Sequence, residues 1–387
     1  MFDLTRIPPE IWQDILRSAC TDGGVTGRSL ALTSRFFLVQ SSSMRYYSLL
    51  FDSLQRLVDF LEYWEDKMND FPPGIHHLYL SFHDEPTVRS LSTWDAYRVK
   101  YQATLGTEQH YSGTFSLALR TLLKHVASSL RTLCVVLPNV GVVDLRPIFS
   151  GLCLHRLEEL TLLGRINEDV SLSQSLQKDL PSVERLHCIC TEDGEWDLTM
   201  ANAVVPSYVH DLPSLTHLRI SHIRSVGSLS IASDLARALG VPSNAIQADE
   251  ASTHAGRSSS SRLRHVVLQC IQPYVPLWAP PPMVGLPKSV WDLCLLADQC
   301  EEIDGIRMLV VTRPWTGYIW TDPLWNALWA HQLRVDWSDR MEGGIGCWVE
   351  TEEQDRAWMK TLHKLIATVA FGFLFCRIDS CLRNTSA

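Results

Sequence analysis

"LEELTL", residues 157–162, carries the pattern that decides the fold of this chain, because the pattern recurs along it. An apolar residue is followed by any two residues, a Leu or Val, one further residue and a second apolar residue. Six other stretches repeat it: "IHHLYL" (75–80), "LRTLCV" (130–135), "VERLHC" (183–188), "LTHLRI" (215–220), "LRHVVL" (263–268) and "IRMLVV" (306–311). Since side chains alternate between the faces of a strand, each stretch predicts a short strand with its last two apolar positions in the core.

Segments with helical periodicity separate these strands. They are "SLALRTLLKHVASSL" from 116, "SDLARALG" from 233, "SVWDLCLLADQC" from 289 and "PLWNALWAHQL" from 323. "YYSLLF" (46–51) predicts an additional first strand, and Ser53 is placed to cap the amphipathic helix after it. Repeated strand–helix units predict an α/β array that buries its core between neighbouring units. Only the central intervals match the roughly 20–29-residue period of leucine-rich repeats, so the array is irregular.

Strand alternation also predicts a second face. The residues on either side of the central Leu or Val should point away from the core, which includes Met308 and Val310 in the last stretch. We expect the following members of this face to bind substrate: Tyr79, Glu159, Arg185, His187, His217, Arg219 and His265. Arginine pairs bidentately with carboxylates and phosphates, so the patch favours an acidic or phosphorylated peptide. A solvated sheet face without a ligand is the alternative.

The amino-terminal stretch "IPPEIWQDILRSA" (7–19) predicts a helix that begins at its two prolines. Its apolar residues recur at spacings of three, four and seven, which places them on one face. "CTDGGVTG" (20–27) predicts a loop, and a second apolar set follows in "RSLALTSRFFLVQ" (28–40). A module of about 40 residues is too small to be comfortably stable alone, so we expect it to be covered.

These residues resemble the F-box family. Ile7, Pro8 and Glu10 match the Leu-Pro-x-Glu start of that motif, and Ile15 and Leu16 match its Ile-Leu pair. The later segment is matched by Thr33, Ser34, Arg35 and Phe37, with Phe37 in place of the usual Trp and Thr33 in place of the usual Val. The following array, including "VDWSDRMEGGIGCWVE" (335–350), resembles fungal proteins that pair an F-box with divergent leucine-rich repeats.

The resemblance implies a fold and a function. The fold is α/β, a short three-helix F-box followed by an irregular leucine-rich-repeat-like solenoid. The function is that of a non-catalytic substrate receptor in an SCF (Skp–cullin–F-box) ubiquitin ligase, with the Skp adaptor and, through it, the cullin as partners. Adaptor contacts are expected from Ile7, Pro8, Ile11, Ile15, Leu16, Leu30, Leu32 and Phe37, and Trp12 is expected to face the repeats. The alternative is a free-standing repeat scaffold whose first helix caps the array.

Three domains are predicted: the module at 1–45, the array at 46–350 and a helical tail at 351–387. The polar, Ser-rich stretch 242–262 is expected to be a flexible insertion, and the proline-rich stretch 273–283 an extended connection.

Composition excludes several classes of protein. The net charge is −9 and no Lys/Arg run offsets it, which argues against nucleic-acid binding. Eleven cysteines without a framework spacing, and no signal peptide, favour an intracellular protein of the cytoplasm or nucleus. The longest apolar run, 365–376, is shorter than the roughly 20 residues that span a membrane, so no membrane partner is expected.

No nucleophile elbow, phosphate loop or dinucleotide fingerprint occurs, and we expect neither catalysis nor a cofactor. A zinc site from His187, His217, His265, Cys188 and Cys190 is imaginable, but paired metal-ligand spacing is missing and Cys188 should face away from His187. We therefore expect no metal. The glycines of "GGIG" (343–346) are interpreted as a turn.

Overall fold

The computed structural model describes residues 7–42, 44–67, 74–81, 108–137, 146–163, 178–189, 212–224, 229–241, 262–271, 288–302, 305–313, 322–348, 351 and 353–354. The predicted extended connection at 273–283 lies outside these residues, as do the predicted insertion apart from Arg262 and the predicted tail apart from Thr351, Glu353 and Gln354.

Within the described residues, a sheet of eight parallel strands forms the centre of the molecule, and the strands lie side by side in sequence order. They are β1 (Ser48–Phe51), β2 (His77–Ser81), β3 (Thr132–Val136), β4 (Glu159–Leu163), β5 (Arg185–Ile189), β6 (His217–Arg224), β7 (His265–Ile271) and β8 (Arg307–Arg313). The α/β class and the additional first strand are confirmed.

Helices precede, separate and follow these strands, and most of them lie in segments that the sequence predicts to be helical. They are α1 (Pro9–Ala19), α2 (Val25–Thr33), α3 (Arg35–Gln40), α4 (Leu54–Lys67), α5 (Glu108–Val126), α6 (Arg146–Phe149), α7 (Leu229–Leu239), α8 (Lys288–Glu301) and α9 (Asp322–Met341). The hydroxyl of Ser53 accepts the amide N–H of Arg56 at 3.3 Å, as expected for a cap of α4. The predicted loop at 20–27 is shorter than expected, because Asp22 accepts the amide of Thr26 and α2 has already begun at Val25.

The recurring leucines stack on one another across the sheet. Leu133 lies in register with Leu78 on one side and Leu160 on the other, and the same row continues to β7. These side chains are fully buried and form one core with residues of α4, α5, α7 and α8. The repeated pattern therefore builds one apolar face, which we call the core face.

Backbone hydrogen bonds join successive units just before each strand. The carbonyl of Tyr47 accepts the amides of His76 and His77, and the carbonyl of His76 accepts those of Arg131 and Thr132. The same arrangement repeats at the carbonyls of Arg131, Glu158, Glu184 and Thr216. Because these bonds join backbone groups, many different residues are compatible with this amino-terminal edge of the sheet. At the carbonyl of Glu184 the hydroxyl of Thr216 also donates, at 3.1 Å.

The last strand departs from the predicted register. Met308 lies opposite Val266 and belongs to the core, and Val310 packs against that core. The prediction that Met308 and Val310 face outward is therefore wrong. The residues of β8 from Met308 to Val311 are all apolar, so alternation cannot distinguish its two faces, and a shift of one residue exchanges them.

The opposite side of the sheet is also covered. Helix α9 packs on β2 and β3, while its large residues Trp329, Leu333 and Trp337 are buried outside the main core. With both sides covered, the sheet is not solenoid-like, in contrast to the irregular leucine-rich-repeat-like solenoid that the resemblance implies. We call this side the polar face, and its cover consists of α9 and the turn that follows it, residues 322–348.

Candidate functional site

The residues expected to bind substrate share the polar face. One row across the sheet contains Glu159, Arg185, His217 and His265, and a second row contains Tyr79, Cys134, Thr161, His187 and Arg219. Alternation along parallel strands in register brings both rows together. The polar face is therefore a continuous surface built from β2 to β7.

The cover reaches into the second row at its β2 end. The Tyr79 hydroxyl donates a 2.5 Å hydrogen bond to the carbonyl of Ala330, and its ring lies 5.8 Å from that of Trp337. Tyr79 is 1% exposed. Close by on α9, Gln332 donates to the carboxylate of Asp336 at 2.8 Å, and both residues are buried. This tyrosine holds the cover in place and is not available to a ligand.

An ionic cluster joins the cover to the first row. A carboxylate oxygen of Glu159 lies 3.3 Å from Nε of Arg340, at the end of α9, and 3.8 Å from a guanidinium nitrogen of Arg185. Arg340 also donates to the carbonyl of Gly344 at 2.9 Å. Glu159 is only 8% exposed, so its charge is balanced mainly within the protein.

The turn after α9 inserts Cys347 into the polar face. Gly346 has a left-handed φ of +56°, and a Cβ added there would lie 2.5 Å from the Arg340 side chain. The amide of Gly346 donates to the Asp339 carboxylate at 2.7 Å, which closes the turn. The carbonyl of Cys347 accepts a 2.9 Å hydrogen bond from Arg219. "GGIG" is thus part of a turn, as interpreted from the sequence.

Cys347 and His187 form a buried pair. The sulfur lies 3.3 Å from Nδ1 of His187, and Nε2 of the same ring lies 3.0 Å from the hydroxyl of Ser221, which also accepts Nε–H of Arg219. Burial lowers the pKa of His187 and raises the pKa of Cys347, with Arg219 adding to the first effect and Asp336 to the second. Both groups are therefore neutral, and the pair lacks the thiolate that a nucleophile needs.

Two histidines extend the first row toward β7. The rings of His217 and His265 are stacked with centroids 4.4 Å apart, and the ring of Trp348 meets His217 edge-on at 6.1 Å. Burial, followed by the charges of His265, Arg185 and Arg340, lowers the pKa of His217 to about 4. At neutral pH His217 is therefore uncharged, and it lies stacked on the ring of His265.

The predicted substrate face therefore needs a correction. Tyr79, His187 and Arg219 are no more than 1% exposed, because the cover lies on them. Glu159 is buried as well, which leaves the following members partly accessible: Arg185, His217 and His265. Sequence reasoning also missed Cys347 and Arg340. Their partners on the sheet are distant in the sequence, so no local pattern indicates these contacts.

A second surface lies on the three amino-terminal helices. Seven of the twelve exposed large apolar side chains among the described residues belong to this module: Ile7, Ile11, Ile15, Val25, Leu32, Leu38 and Val39. Pro8 is exposed beside Ile7, and Leu30 is half-buried. We call this surface the apolar module face. Several exposed apolar side chains on one small module are typical of a protein-binding site.

The inner side of the module holds its helices together and ties them to the sheet. Leu16 is 2% exposed, so the prediction that it contacts an adaptor is wrong. The hydroxyl of buried Ser48 donates to the carbonyl of Cys20 at 2.8 Å and accepts the amide of Gly23 at 3.0 Å. These bonds join the end of α1 to the first strand.

An aromatic cluster lies between α1 and α3. Trp12 meets Phe36 and Phe37 edge-on, with centroids 5.7 Å and 5.5 Å apart. Trp12 thus packs within the module, which corrects the expectation that it faces the repeats. Phe37, predicted to contact an adaptor, is half-buried and partly engaged in the same cluster. Ser34 caps α3 by accepting the amide of Phe37 at 3.2 Å.

The described residues offer neither a metal-binding cluster nor a membrane span. In this part of the chain, no three His, Cys, Asp or Glu side chains are grouped so that they could hold a metal ion. Cys188 lies in the core, on the side of the sheet away from His187, and Cys190 is outside the described residues. None of the described helices is long and apolar enough to cross a membrane.

The chain matches no protein-family model, no curated protein and no solved structure at a significant level.

Proposed function

We propose that this chain is the substrate-recognition subunit of an SCF-type ubiquitin ligase. In this proposal the amino-terminal module is an F-box that binds the Skp adaptor, and through it the cullin. The strand–helix units form an irregular leucine-rich-repeat-like array that binds a protein substrate. Catalysis is left to other subunits, and the chain itself carries no cofactor.

The observation that carries the proposal is the apolar module face. Ile7, Ile11 and Ile15 are 36%, 50% and 46% exposed on successive turns at the start of the chain, and Leu32 is 80% exposed on the next helix. Leaving such side chains in water forgoes roughly 1.5–3 kcal/mol of burial for each, which a partner helix would recover. The three isoleucines and Pro8 belong to the residues that carry the F-box resemblance or its expected adaptor contacts.

The sequential strand order and the shared register of β2 to β7 support the repeat part of the proposal. The cover over the polar face distinguishes this array from an open solenoid. We therefore assign substrate contact to the part that stays accessible, Arg185, His217 and His265, with an acidic or phosphorylated segment as the favoured ligand.

The adaptor assignment is tested by capture of a purified Skp adaptor on immobilised full-length protein. We expect Ile11→Asp combined with Ile15→Asp to weaken capture at least about tenfold. In the complex, two apolar contacts with the adaptor would be replaced by two charges that lose their hydration. Leu117→Asp is the matched control, since Leu117 is 67% exposed on α5, outside the module. Failure of the wild type to bind, or equal binding by the double variant, would contradict the proposal.

The substrate assignment is tested separately by mass spectrometry of the proteins captured from cell extract. Arg185→Ala is the informative variant, because Arg185 is partly exposed, whereas replacing Arg219 would disturb a buried hydrogen-bond network. We expect phosphorylated or acidic proteins to be lost from the captured set. An unchanged set would argue against this surface as the substrate site.

One observation favours a second candidate, a repeat scaffold without a link to ubiquitin. Leu16 and part of Phe37, two of the residues expected to meet an adaptor, instead stabilise the module itself. In this alternative the module is a cap for β1. The adaptor-capture experiment distinguishes the two, since a scaffold would not retain the adaptor.

A further inference from the structure

A cavity of about 380 Å³ lies where the amino-terminal module meets the edge of the sheet. Its lining residues are Arg17, Met44, Tyr47, Gly74, His76 and Arg131, and we call it the junction cavity. Arg17 comes from the last turn of α1, whereas Tyr47, His76 and Arg131 directly precede β1, β2 and β3. The backbone ladder before the strands fixes these last three residues side by side. The volume of the junction cavity is typical of a small-molecule site.

The junction cavity is positively charged in a protein whose net charge is −9. Arg17 and Arg131 both line it, the first from the module and the second from the sheet, and Arg156 is close enough to act on His76 electrostatically. Burial and these three guanidinium groups lower the pKa of His76. Asp14 pairs with Arg17 at 2.8 Å, but this pair is exposed and therefore weak. Among the described residues, Arg131 has no ion-pair partner that would balance its charge.

Two rings give the cavity an aromatic wall. The rings of Tyr47 and His76 lie 4.9 Å apart and are tilted by 39°. The cavity thus combines an aromatic wall with two arginines.

We infer that the junction cavity binds a small molecule that carries a phosphate group on a planar ring. Guanidinium groups bind phosphate bidentately, and a phosphate dianion balances the two arginines better than a carboxylate monoanion does. The ring of the ligand would pack on Tyr47. Since Arg17 belongs to the module and Arg131 to the sheet, such a ligand would also join the two. The inference is independent of the proposed ligase function.

Calorimetric titration of the full-length protein tests this inference, with phenyl phosphate and inorganic phosphate as probes. We expect phenyl phosphate to bind more tightly than inorganic phosphate, because only the former reaches the aromatic wall. Arg131→Gln and Arg17→Gln should each weaken phenyl phosphate binding about tenfold or more, as expected when one charged hydrogen-bond donor is lost. Arg262→Gln is the control, since Arg262 is an exposed arginine next to β7, away from the cavity.

Thermal unfolding of each variant without ligand confirms that the variant is folded. Absence of phenyl phosphate binding to the wild type would overturn the inference, as would equal weakening by all three substitutions. A phosphotyrosine peptide provides the third arm. Binding of the peptide without binding of phenyl phosphate would overturn the small-molecule assignment in favour of a protein ligand, whereas binding of phenyl phosphate in preference to the peptide would support it.

Discussion

The two faces of the sheet are stabilised by different kinds of interaction. On the core face, leucines such as Leu160 pack against helices, and each contributes in proportion to the apolar area that it buries. On the polar face, buried groups such as Arg219 and His187 each form a hydrogen bond with Cys347 of the cover. Losing a leucine leaves a cavity, whereas losing one member of a matched pair leaves its partner unsatisfied. The comparison teaches that the core face tolerates exchange of apolar residues and the polar face depends on specific partners.

The largest effect is expected on the core face. Leu160→Ala should lower the free energy of unfolding by about 2–5 kcal/mol, because Leu160 is 1% exposed in the middle of the sheet and its truncation leaves a cavity. Chemical denaturation measures the change. Leu117→Ala, at an exposed position, should change it by less than about 0.5 kcal/mol. Equal effects at the two positions would contradict the assignment of the core.

A smaller effect is expected at the matched pairs of the polar face. Arg219→Ala should cost about 1.5–3 kcal/mol, because the carbonyl of Cys347 and the hydroxyl of Ser221 would lose a charged donor. Arg185→Ala should cost less than about 1 kcal/mol, since its pair with Glu159 is longer and partly exposed. Denaturation of both variants under one set of conditions checks the order. A larger loss for Arg185→Ala would show that Arg219 is not the structural arginine of this face.

The last prediction concerns the dependence of stability on pH. The pKa of His217 is about 4 in the folded protein, against an ordinary histidine value of 6.5, so below pH 6.5 the unfolded chain binds a proton that the folded chain does not. Stability should therefore fall as the pH is lowered from about 6.5 to about 4. His217→Gln should give a shallower fall across this window. Parallel stability curves for the two proteins would show that His217 does not titrate as described.

The strands could be predicted from the sequence because each carries two inward apolar positions separated by one residue. This pattern alone predicted β2 to β7, and the common register then followed from parallel stacking. The pattern also located β8 but assigned its two faces wrongly, because Met308, Leu309 and Val310 place apolar side chains on both faces. A register is specified only where one face is polar.

The candidate surfaces could be predicted only in part. Alternation predicted which residues share the polar face, but their burial depends on α9, whose contact with Tyr79 joins residues 251 positions apart. In α1, Ile15 and Leu16 are adjacent apolar residues, and only the structure distinguishes the exposed one from the buried one. The junction cavity left no motif, because its residues come from separate segments of the chain.

The hydrogen bond between Tyr79 and Ala330 also has a consequence for synthesis of the chain. A ribosome that adds roughly 5–20 residues per second needs about 13–50 seconds to advance the 251 positions from Tyr79 to Ala330. During this interval β2 and the strands after it can pair while their future cover does not yet exist. Until then Glu159, Arg185 and His217 expose polar groups on the uncovered polar face. An exposed apolar face at this stage would favour aggregation of the nascent chain.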